Sequence, residues 1–431
     1  MGRWPYLVAI APVIAAAMSS AAPAAAARIQ DGGQAARPGA VAGSWGRAIE
    51  VPGLGILNAG GFADAAVLSC ASAGNCAAGG YYSDGNGLAH GFVVSQRNGR
   101  WHRAVEVPRP GELNKGGFGE VDSLSCASAG NCAAAGRYPG RHDTAQGFVV
   151  SERNGVWGRA IKVPGLGALS KGAVADLASV SCTSGGYCTA SGTYDDQHSL
   201  PQIFVVSERN GVWGRAVEVP GLGALSTTGE AELTDLSCAS AGNCATGGYY
   251  AIGRDHELGF VVSETNGRWG RAIEVPGLGP LLGTLSTGRS AQVQSVSCGS
   301  AGNCAAGGFY GGHGFVVSED NGAWGRAIEV PGLSALGGNA SAGPVSCASA
   351  GNCVAGGFYA WQRPRSSGFL VSEKNGVWGQ AIEVPGLRAL NTGRNALAGP
   401  VSCPPTGNCV VSGAYSETAR SGPPPFQGFV S

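Results

Sequence analysis

The sequence predicts an all-β fold in which one short unit recurs seven times, and three observations predict it. Fourteen cysteines fall into seven pairs with five residues between partners: Cys70 and Cys76, Cys126 and Cys132, Cys182 and Cys188, Cys238 and Cys244, Cys298 and Cys304, Cys347 and Cys353, Cys403 and Cys409. Seven tryptophans, Trp45, Trp101, Trp157, Trp213, Trp269, Trp324 and Trp378, keep the same beat. Between these markers each unit reads as short strands separated by turn residues, with no run of helical period long enough for a helix. First cysteines stand 56, 56, 56, 60, 49 and 56 residues apart, so the unit accounts for nearly all of residues 44–431.

The elements follow in order. Arg3, the apolar stretch Tyr6 to Ala17 and the small residues Ala25-Ala26-Ala27 read as a secretory signal over residues 1–27. The apolar stretch is shorter than the roughly 20 residues of a bilayer-spanning helix. Residues 28–43 read as a flexible lead-in. In each unit the first strand ends at the first cysteine, as in Ser179 to Cys182. The second is like Cys304 to Tyr310, the third like Gly147 to Ser151, and the fourth like Trp157 to Val163, stopped by Pro164. Asn154-Gly155 supplies the positive φ values of a tight hairpin between third and fourth strands.

Four antiparallel strands repeated around an axis make a β-propeller. A linear β-solenoid or a string of small domains is the alternative, but a 56-residue unit with one disulfide is marginal alone. The ends favour a ring. Trp45 to Pro52 is a fourth strand with no first three before it, and Cys403 to Ser431 supplies three strands with no fourth. The expectation is a seven-bladed propeller of four-stranded antiparallel blades, closed by the N-terminal strand completing the last blade.

Recurring residues have structural explanations. Gly80, Gly136, Gly192, Gly248, Gly308, Gly357 and Gly413 hold one place in every unit, where a strand glycine marks a bulge or a close backbone approach. Two residues later stands a tyrosine, from Tyr82 to Tyr415, suited to packing its ring and pointing its hydroxyl to a wetter edge. A structural zinc site needs four converging ligands, and each unit offers two cysteines, so the seven pairs read as local disulfides. Each closes a short loop worth about 2 kcal/mol in the chain-entropy model. Neither a metal nor another cofactor is called for.

Composition narrows the function. Twenty-eight Lys+Arg balance 28 Asp+Glu, which removes the electrostatic case for nucleic acid. Gly is 75 of 431 residues, yet 44% of the chain is apolar, enough for a packed core. Seven disulfides imply an oxidising compartment. The expected product is secreted, monomeric and free of the membrane after signal cleavage.

The unit resembles the kelch repeat of galactose-oxidase-like propellers through its Gly-Gly doublets (Gly79-Gly80, Gly247-Gly248, Gly307-Gly308, Gly356-Gly357) and its third strand, Asn-containing turn and Trp, as in Phe148 to Trp157. It departs from that pattern at Ala135-Gly136, Ser191-Gly192 and Ser412-Gly413, and Val150 stands where the kelch repeat has tyrosine. The turn Ser318-Glu319-Asp320-Asn321-Gly322-Ala323-Trp324 also resembles an Asp-box of sialidase-type propellers, although Arg153, Arg209 and Thr265 replace its Asp elsewhere. The whole chain looks most like uncharacterised secreted actinobacterial proteins with this cysteine-paired blade. That resemblance implies a compartment and a fold, and carries over no catalytic residues.

Function is then sought where the units differ. The cysteine turns and Asn-Gly turns share one face and are nearly uniform. The second-to-third-strand loops on the other face vary, and variable loops on a rigid scaffold are where binding usually lives. They hold His142 and Asp143, Asp195, Asp196 and His198, Arg254, Asp255 and His256, and Trp361, which are the candidate binding residues. Carboxylate beside imidazole suits ion binding or acid–base work, and an exposed indole stacks on a sugar face or a cation. The opposing reading is that these loops vary because nothing constrains them. No nucleophile elbow, zincin, phosphate loop or EF-hand motif is present. The expectation is a non-catalytic secreted scaffold binding a glycan, envelope component or protein; the alternative is a propeller glycosidase or lyase, which needs only two carboxylates placed by the fold.

Overall fold

The computed structural model describes residues 49–107, 119–139, 144–171, 174–226, 228–253, 256–283, 290–360, 365–418 and 426–431. The chain separates into a unit of residues 1–49 and a unit of residues 50–431, and every sheet belongs to the second. Among the described residues there are seven antiparallel sheets, one per cysteine pair, numbered here as repeats 1–7.

Repeat 3 stands for the pattern. Its first strand, Ala175–Ser184, pairs with Tyr187–Asp195, which pairs with Pro201–Arg209. The Asn-Gly turns take the expected left-handed backbone, with φ of 48° at Asn154 and 77° at Gly155.

All seven cysteine pairs are disulfides, each within its own turn. Cys70 is bonded to Cys76, Cys126 to Cys132, Cys182 to Cys188, Cys238 to Cys244, Cys298 to Cys304, Cys347 to Cys353, and Cys403 to Cys409. In repeats 1–6 the two cysteines are direct cross-strand partners, as Cys70 is to Cys76, Cys126 to Cys132 and Cys347 to Cys353. Repeat 7 departs from this placing. Its strands are Ala396–Ser402 and Val410–Ser416, so Cys403 and Cys409 close the loop just beyond the ladder. The second cysteines are not alike in burial either. Cys132, Cys188, Cys244, Cys304 and Cys353 are buried, whereas Cys76 and Cys409, in the two end sheets, are only half-buried. An inner sheet has a neighbour on each side to cover its sulfur.

The cysteine turn and the Asn-Gly turn are bonded to each other, which puts them on one face. Gly155 N–H donates to Gly130 O at 2.8 Å, and the same bond joins Gly211 to Gly186, Gly267 to Gly242, Gly322 to Gly302 and Gly376 to Gly351. In the cysteine turn, Asn131 Nδ2 donates to Ser128 Oγ while its Oδ1 accepts from Asn154 N–H. The uniform sequence of this face is explained by that bracket.

The recurring strand glycine faces a bulge in the first strand. A Cβ on Gly192 would lie 1.9 Å from Asp176 O, and on Gly136 it would lie 2.0 Å from Glu120 O. The extra residue of the bulge pushes its carbonyl into the space a side chain would fill.

Two expectations need correction. The fourth strand is not continuous: in repeat 3 it is Val212–Trp213 and Val217–Glu218, both paired with the third strand. Between the pieces, Ala216 N–H leaves the sheet and donates to Pro164 O of the preceding repeat at 2.7 Å. Ala272 to Pro220, Ala327 to Pro276 and Ala381 to Pro331 repeat the bond, so the break serves contact between repeats. The connections also contain short helical turns, such as Leu166–Leu169, Leu333–Leu336 and Leu387–Leu390. Each follows a left-handed glycine and buries one leucine. A single turn carries no readable period, which is why sequence reading missed them.

Adjacent repeats pack face to face through small residues and through a serine ladder. Cys182 N–H donates to Ser125 Oγ of the preceding repeat at 3.0 Å. Equivalent bonds join Cys126 to Ser69, Cys238 to Ser181, Cys298 to Ser237, Cys347 to Ser297 and Cys403 to Ser346. In repeats 1–6 the serine just before the first cysteine thus satisfies a backbone donor of the next repeat.

The two end sheets present faces that are covered elsewhere. Leu68 in repeat 1 is 64% exposed, whereas its equivalents Leu124 and Leu236 are 8% and 5% exposed. Val430 in repeat 7 is 57% exposed, whereas Val93 and Val149 are fully buried. Residues 426–430 pair with Val410–Ser416, and residues 49–52 form no strand. Residues 45–48, the rest of the expected closing strand, lie outside the described residues.

Candidate functional site

The signature Ser-Glu-x-Asn-Gly-x-Trp builds a lock between repeats. Trp213 and Glu208 are cross-strand partners within repeat 3. Both reach back to one serine of repeat 2: Trp213 Nε1–H donates to Ser151 Oγ at 3.1 Å, and Ser151 donates to Glu208 Oε1 at 2.8 Å. The same triad joins Trp157, Ser95 and Glu152, then Trp324, Ser263 and Glu319, then Trp378, Ser318 and Glu373. Each glutamate is buried, which costs free energy unless its oxygens are bonded. Desolvation by burial pushes the Glu319 and Glu373 carboxyls above the usual range, and the serine bond pulls them partly back. At the earlier junctions an arginine adds to the serine, with Arg153 Nη2 2.7 Å from Glu208 Oε1.

The junction of repeats 3 and 4 departs from this scheme. Thr189 stands where repeats 1, 2, 4 and 5 have Ala77, Ala133, Ala245 and Ala305. Its Oγ1 lies 3.3 Å from Ser207 Oγ, the serine that should join Trp269 and Glu264. Among the described residues Trp269 Nε1 makes no hydrogen bond there, and Glu264 keeps only Arg209 at 3.8 Å. Burial raises the Glu264 carboxyl, and Arg209 opposes the shift. A cleft of about 240 Å³ opens at this junction, lined by Ser207, Arg209, Val212, Arg215, Glu264 and Trp269 among others. It offers an indole, two guanidiniums and a hydroxyl within one concavity, with the buried Glu264 carboxylate behind them. Its volume is below the ~300–1,000 Å³ of sites for drug-sized ligands. The tryptophan recurs in every repeat, as a packing residue does; the sequence signal that marks this one is the hydroxyl at Thr189.

The opposite face carries the variable loops. Asp196 acts as a turn acceptor: its Oδ1 receives N–H bonds from His198 at 2.7 Å and Leu200 at 3.1 Å. Asp84 does the same in repeat 1, where the backbone N–H of Leu88, then that of Asn86, and His90 hold its carboxyl at about 2. His198 is exposed, with Nε2 3.2 Å from Gln197 Nε2, and His256 is exposed in its own loop. His142, Asp143, Arg254, Asp255 and Trp361 lie outside the described residues. In repeats 1–6 the recurring tyrosine is buried, and its hydroxyl reaches this face, as Tyr194 donates to Glu218 Oε2 at 2.9 Å and Tyr82 to Glu106 Oε2 at 3.0 Å.

One set of charges on this face does come together. Glu120 and Asp122 lie at the start of the first strand of repeat 2, and Arg137 lies near the end of the second strand. Arg137 Nη2 lies 2.8 Å from Glu120 and its Nε 3.8 Å from Asp122. Burial pushes the Asp122 carboxyl up to about 7; Arg137 opposes that shift, and the charges of Glu120 and Asp176 add to it. Asp176 is raised by burial, and the neighbouring charge of Asp195 raises it further. The sequence candidate Asp195 thus adjoins a group of carboxylates that sequence reading missed, because they sit on regular strands of two different repeats. Among the described residues no group of His, Cys, Asp and Glu is arranged to hold a metal ion.

No protein-family description matches the chain, and no curated protein matches it. Among solved structures, the fucose-specific lectin from Aleuria aurantia is 12% identical over 74% of this chain and 96% of its own, with a TM-score of 0.34. A polysaccharide lyase, ulvan lyase, is 10% identical over 72% of this chain and 76% of its own, with a TM-score of 0.38. A protein of unknown function from Dyadobacter fermentans is 9% identical over 72% of this chain and 94% of its own, also at 0.38. Likenesses this low carry no activity over to this chain.

Proposed function

We propose that this chain is a secreted, non-catalytic β-propeller scaffold that binds a glycan of the cell envelope. The observation that carries the binding reading is the open cleft between repeats 3 and 4, where Thr189 draws Ser207 away and leaves Trp269, Arg209, Arg215 and Glu264 around about 240 Å³. An indole face packs on the C–H face of a sugar, while the exposed guanidiniums bond its hydroxyls. The variable loops, with Asp195, Asp196, His198 and His256 and, beyond the described residues, His142, Asp143, Arg254, Asp255 and Trp361, form the second contact face of the proposal.

Ring closure belongs to the same proposal. The exposed apolar faces of repeats 1 and 7 are the two halves of a junction that the inner repeats make, and burying them against each other removes that exposure. The kelch-like and Asp-box-like likeness of the repeat is carried with it as part of the same reading.

A second reading, a glycosidase or lyase, is favoured by Asp122: a carboxyl raised to about 7 beside Glu120 and Arg137 is poised for proton transfer near neutrality. A glycan array probed with mature protein, followed by product analysis, separates the readings. Retention without turnover, lost on Trp269→Ala, supports the scaffold. Product formation abolished by Asp122→Asn supports the enzyme and refutes the scaffold.

A further inference from the structure

The outer edge of the sheets carries a row of arginines with no partner. Arg103, Arg159, Arg215, Arg271 and Arg326 each follow the Trp-Gly or Trp-His step, in the gap between the two pieces of the outer strand. All five are exposed, and among the described residues none makes a hydrogen bond or ion pair. The carboxylates of the same strands turn to the tyrosines instead: Glu106, Glu218, Glu274 and Glu329 accept bonds from Tyr82, Tyr194, Tyr250 and Tyr310. Beside the arginines stand exposed aliphatic side chains, among them Val105, Ile161, Val217, Ile273 and Ile328. In repeats 1–5 the edge therefore repeats one guanidinium unpaired among the described residues and one apolar contact, and Arg215 lies in the open cleft itself.

From this we infer that the outer edge binds an acidic polysaccharide lengthwise, with Arg103, Arg159, Arg215, Arg271 and Arg326 each meeting an acidic group and the aliphatic side chains meeting the sugar rings. The inference rests on the glycan reading and names its ligand class. A guanidinium takes a carboxylate or sulfate in a bidentate pair, so acid groups recurring along a chain match guanidiniums recurring along an edge. Single exposed contacts are weak, and linking several raises overall affinity steeply without any new kind of contact. In repeat 6, Gln380 occupies the arginine position, so the row stops one sheet short of its possible length.

The test uses the full mature chain, purified polygalacturonate oligosaccharides, and neutral gluco-oligosaccharides of matched length. Polygalacturonate is expected to bind, with affinity falling at least ~10-fold as salt rises from about 50 mM to about 500 mM, as screening of exposed charges requires. The triple variant Arg159→Gln/Arg215→Gln/Arg271→Gln should lose at least ~10-fold in affinity with unchanged thermal unfolding, since all three side chains are exposed. Gln380→Arg should tighten binding several-fold, an effect that a merely structural arginine row would not produce. Acidic binding that survives the triple variant overturns the inference. Binding of neutral oligosaccharides without the acidic ones overturns it while leaving the glycan reading standing, and failure of every sugar overturns both. If duplex DNA or polyphosphate binds through the same arginines and polygalacturonate does not, the acidic-sugar assignment is wrong.

Discussion

Ser263→Ala tests whether the lock between repeats carries a buried charge. Ser263 receives the Trp324 indole N–H at 3.0 Å and donates to Glu319 Oε1 at 2.6 Å, while Glu319 Oε2 has no hydrogen-bond partner among the described residues. Removing the hydroxyl deletes a neutral bond worth about 1 kcal/mol and a bond to a charged group worth about 1.5–3 kcal/mol, so the loss at neutral pH is about 3 kcal/mol. Ser151→Ala deletes the same two bonds, but Arg153 stays 2.7 Å from Glu208 and keeps that charge paired. It should cost about 2 kcal/mol. The pH dependence separates the two further. Glu319 has a folded pKa raised above its unfolded value of 4.5. The unfolded chain therefore releases this proton first, and the group's contribution to wild-type stability falls as pH rises from 4.5 through the folded pKa, then levels. Loss of the serine raises that folded pKa again, so in Ser263→Ala the fall continues to higher pH and the gap from wild type widens. Urea unfolding followed by tryptophan fluorescence, with disulfides intact, at about pH 4, 6 and 8 measures this. Equal costs for the two variants at all three values would refute the argument that the serine supports an otherwise unpaired carboxylate.

Thr189→Ala should free Ser207 to complete the lock with Trp269 and Glu264, raising stability by about 1 kcal/mol and weakening glycan binding at the cleft; titration of the variant alongside its melting curve checks both. Asp122→Asn removes a carboxyl raised to about 7, so wild type loses stability between pH 3.8 and about 7 that the variant keeps, and their melting curves should converge at low pH. Gly155→Ala forces a side chain into φ 77° and onto the Arg97 guanidinium, whereas Gly322→Ala meets only φ 84° with nothing within 4 Å. The Arg97 guanidinium is the free end of a long side chain and swings clear, so both should cost about the same, ~1 kcal/mol of backbone strain, as paired denaturant titrations would show. Leu68→Ala should cost about as much as Leu124→Ala, about 2–5 kcal/mol, if the end sheets close on each other; a change within ~0.5 kcal/mol, as for an exposed side chain, would leave the ends open.

Much of the architecture was legible in residues 44–431 because each unit repeats its own turn chemistry. Cysteines six apart cannot be far apart in space, and Asn-Gly supplies the left-handed backbone of a hairpin. The disulfides, the hairpins and the shared face of the two turns therefore follow from local sequence. The strand glycines and the tyrosines were likewise readable, since each answers a need inside its own sheet. What sequence alone did not determine are the relations between sheets. The same two-cysteine turn leaves Cys132 and Cys353 buried but Cys76 and Cys409 half-buried, because only the neighbouring sheet decides which sulfur is covered. Whether Ser151 serves its own sheet or its neighbour's Glu208, and why Trp269 differs from Trp213, depends on side chains some 60 residues apart meeting across a junction. Ala216 breaking its strand to bond Pro164, and Asp122 meeting Arg137 and Asp176, have the same origin. Local pattern records the conformation each residue adopts within its own hairpin. Burial, desolvation and the pairing of distant charges are set only when one sheet is laid on the next, and the tertiary structure alone decides them.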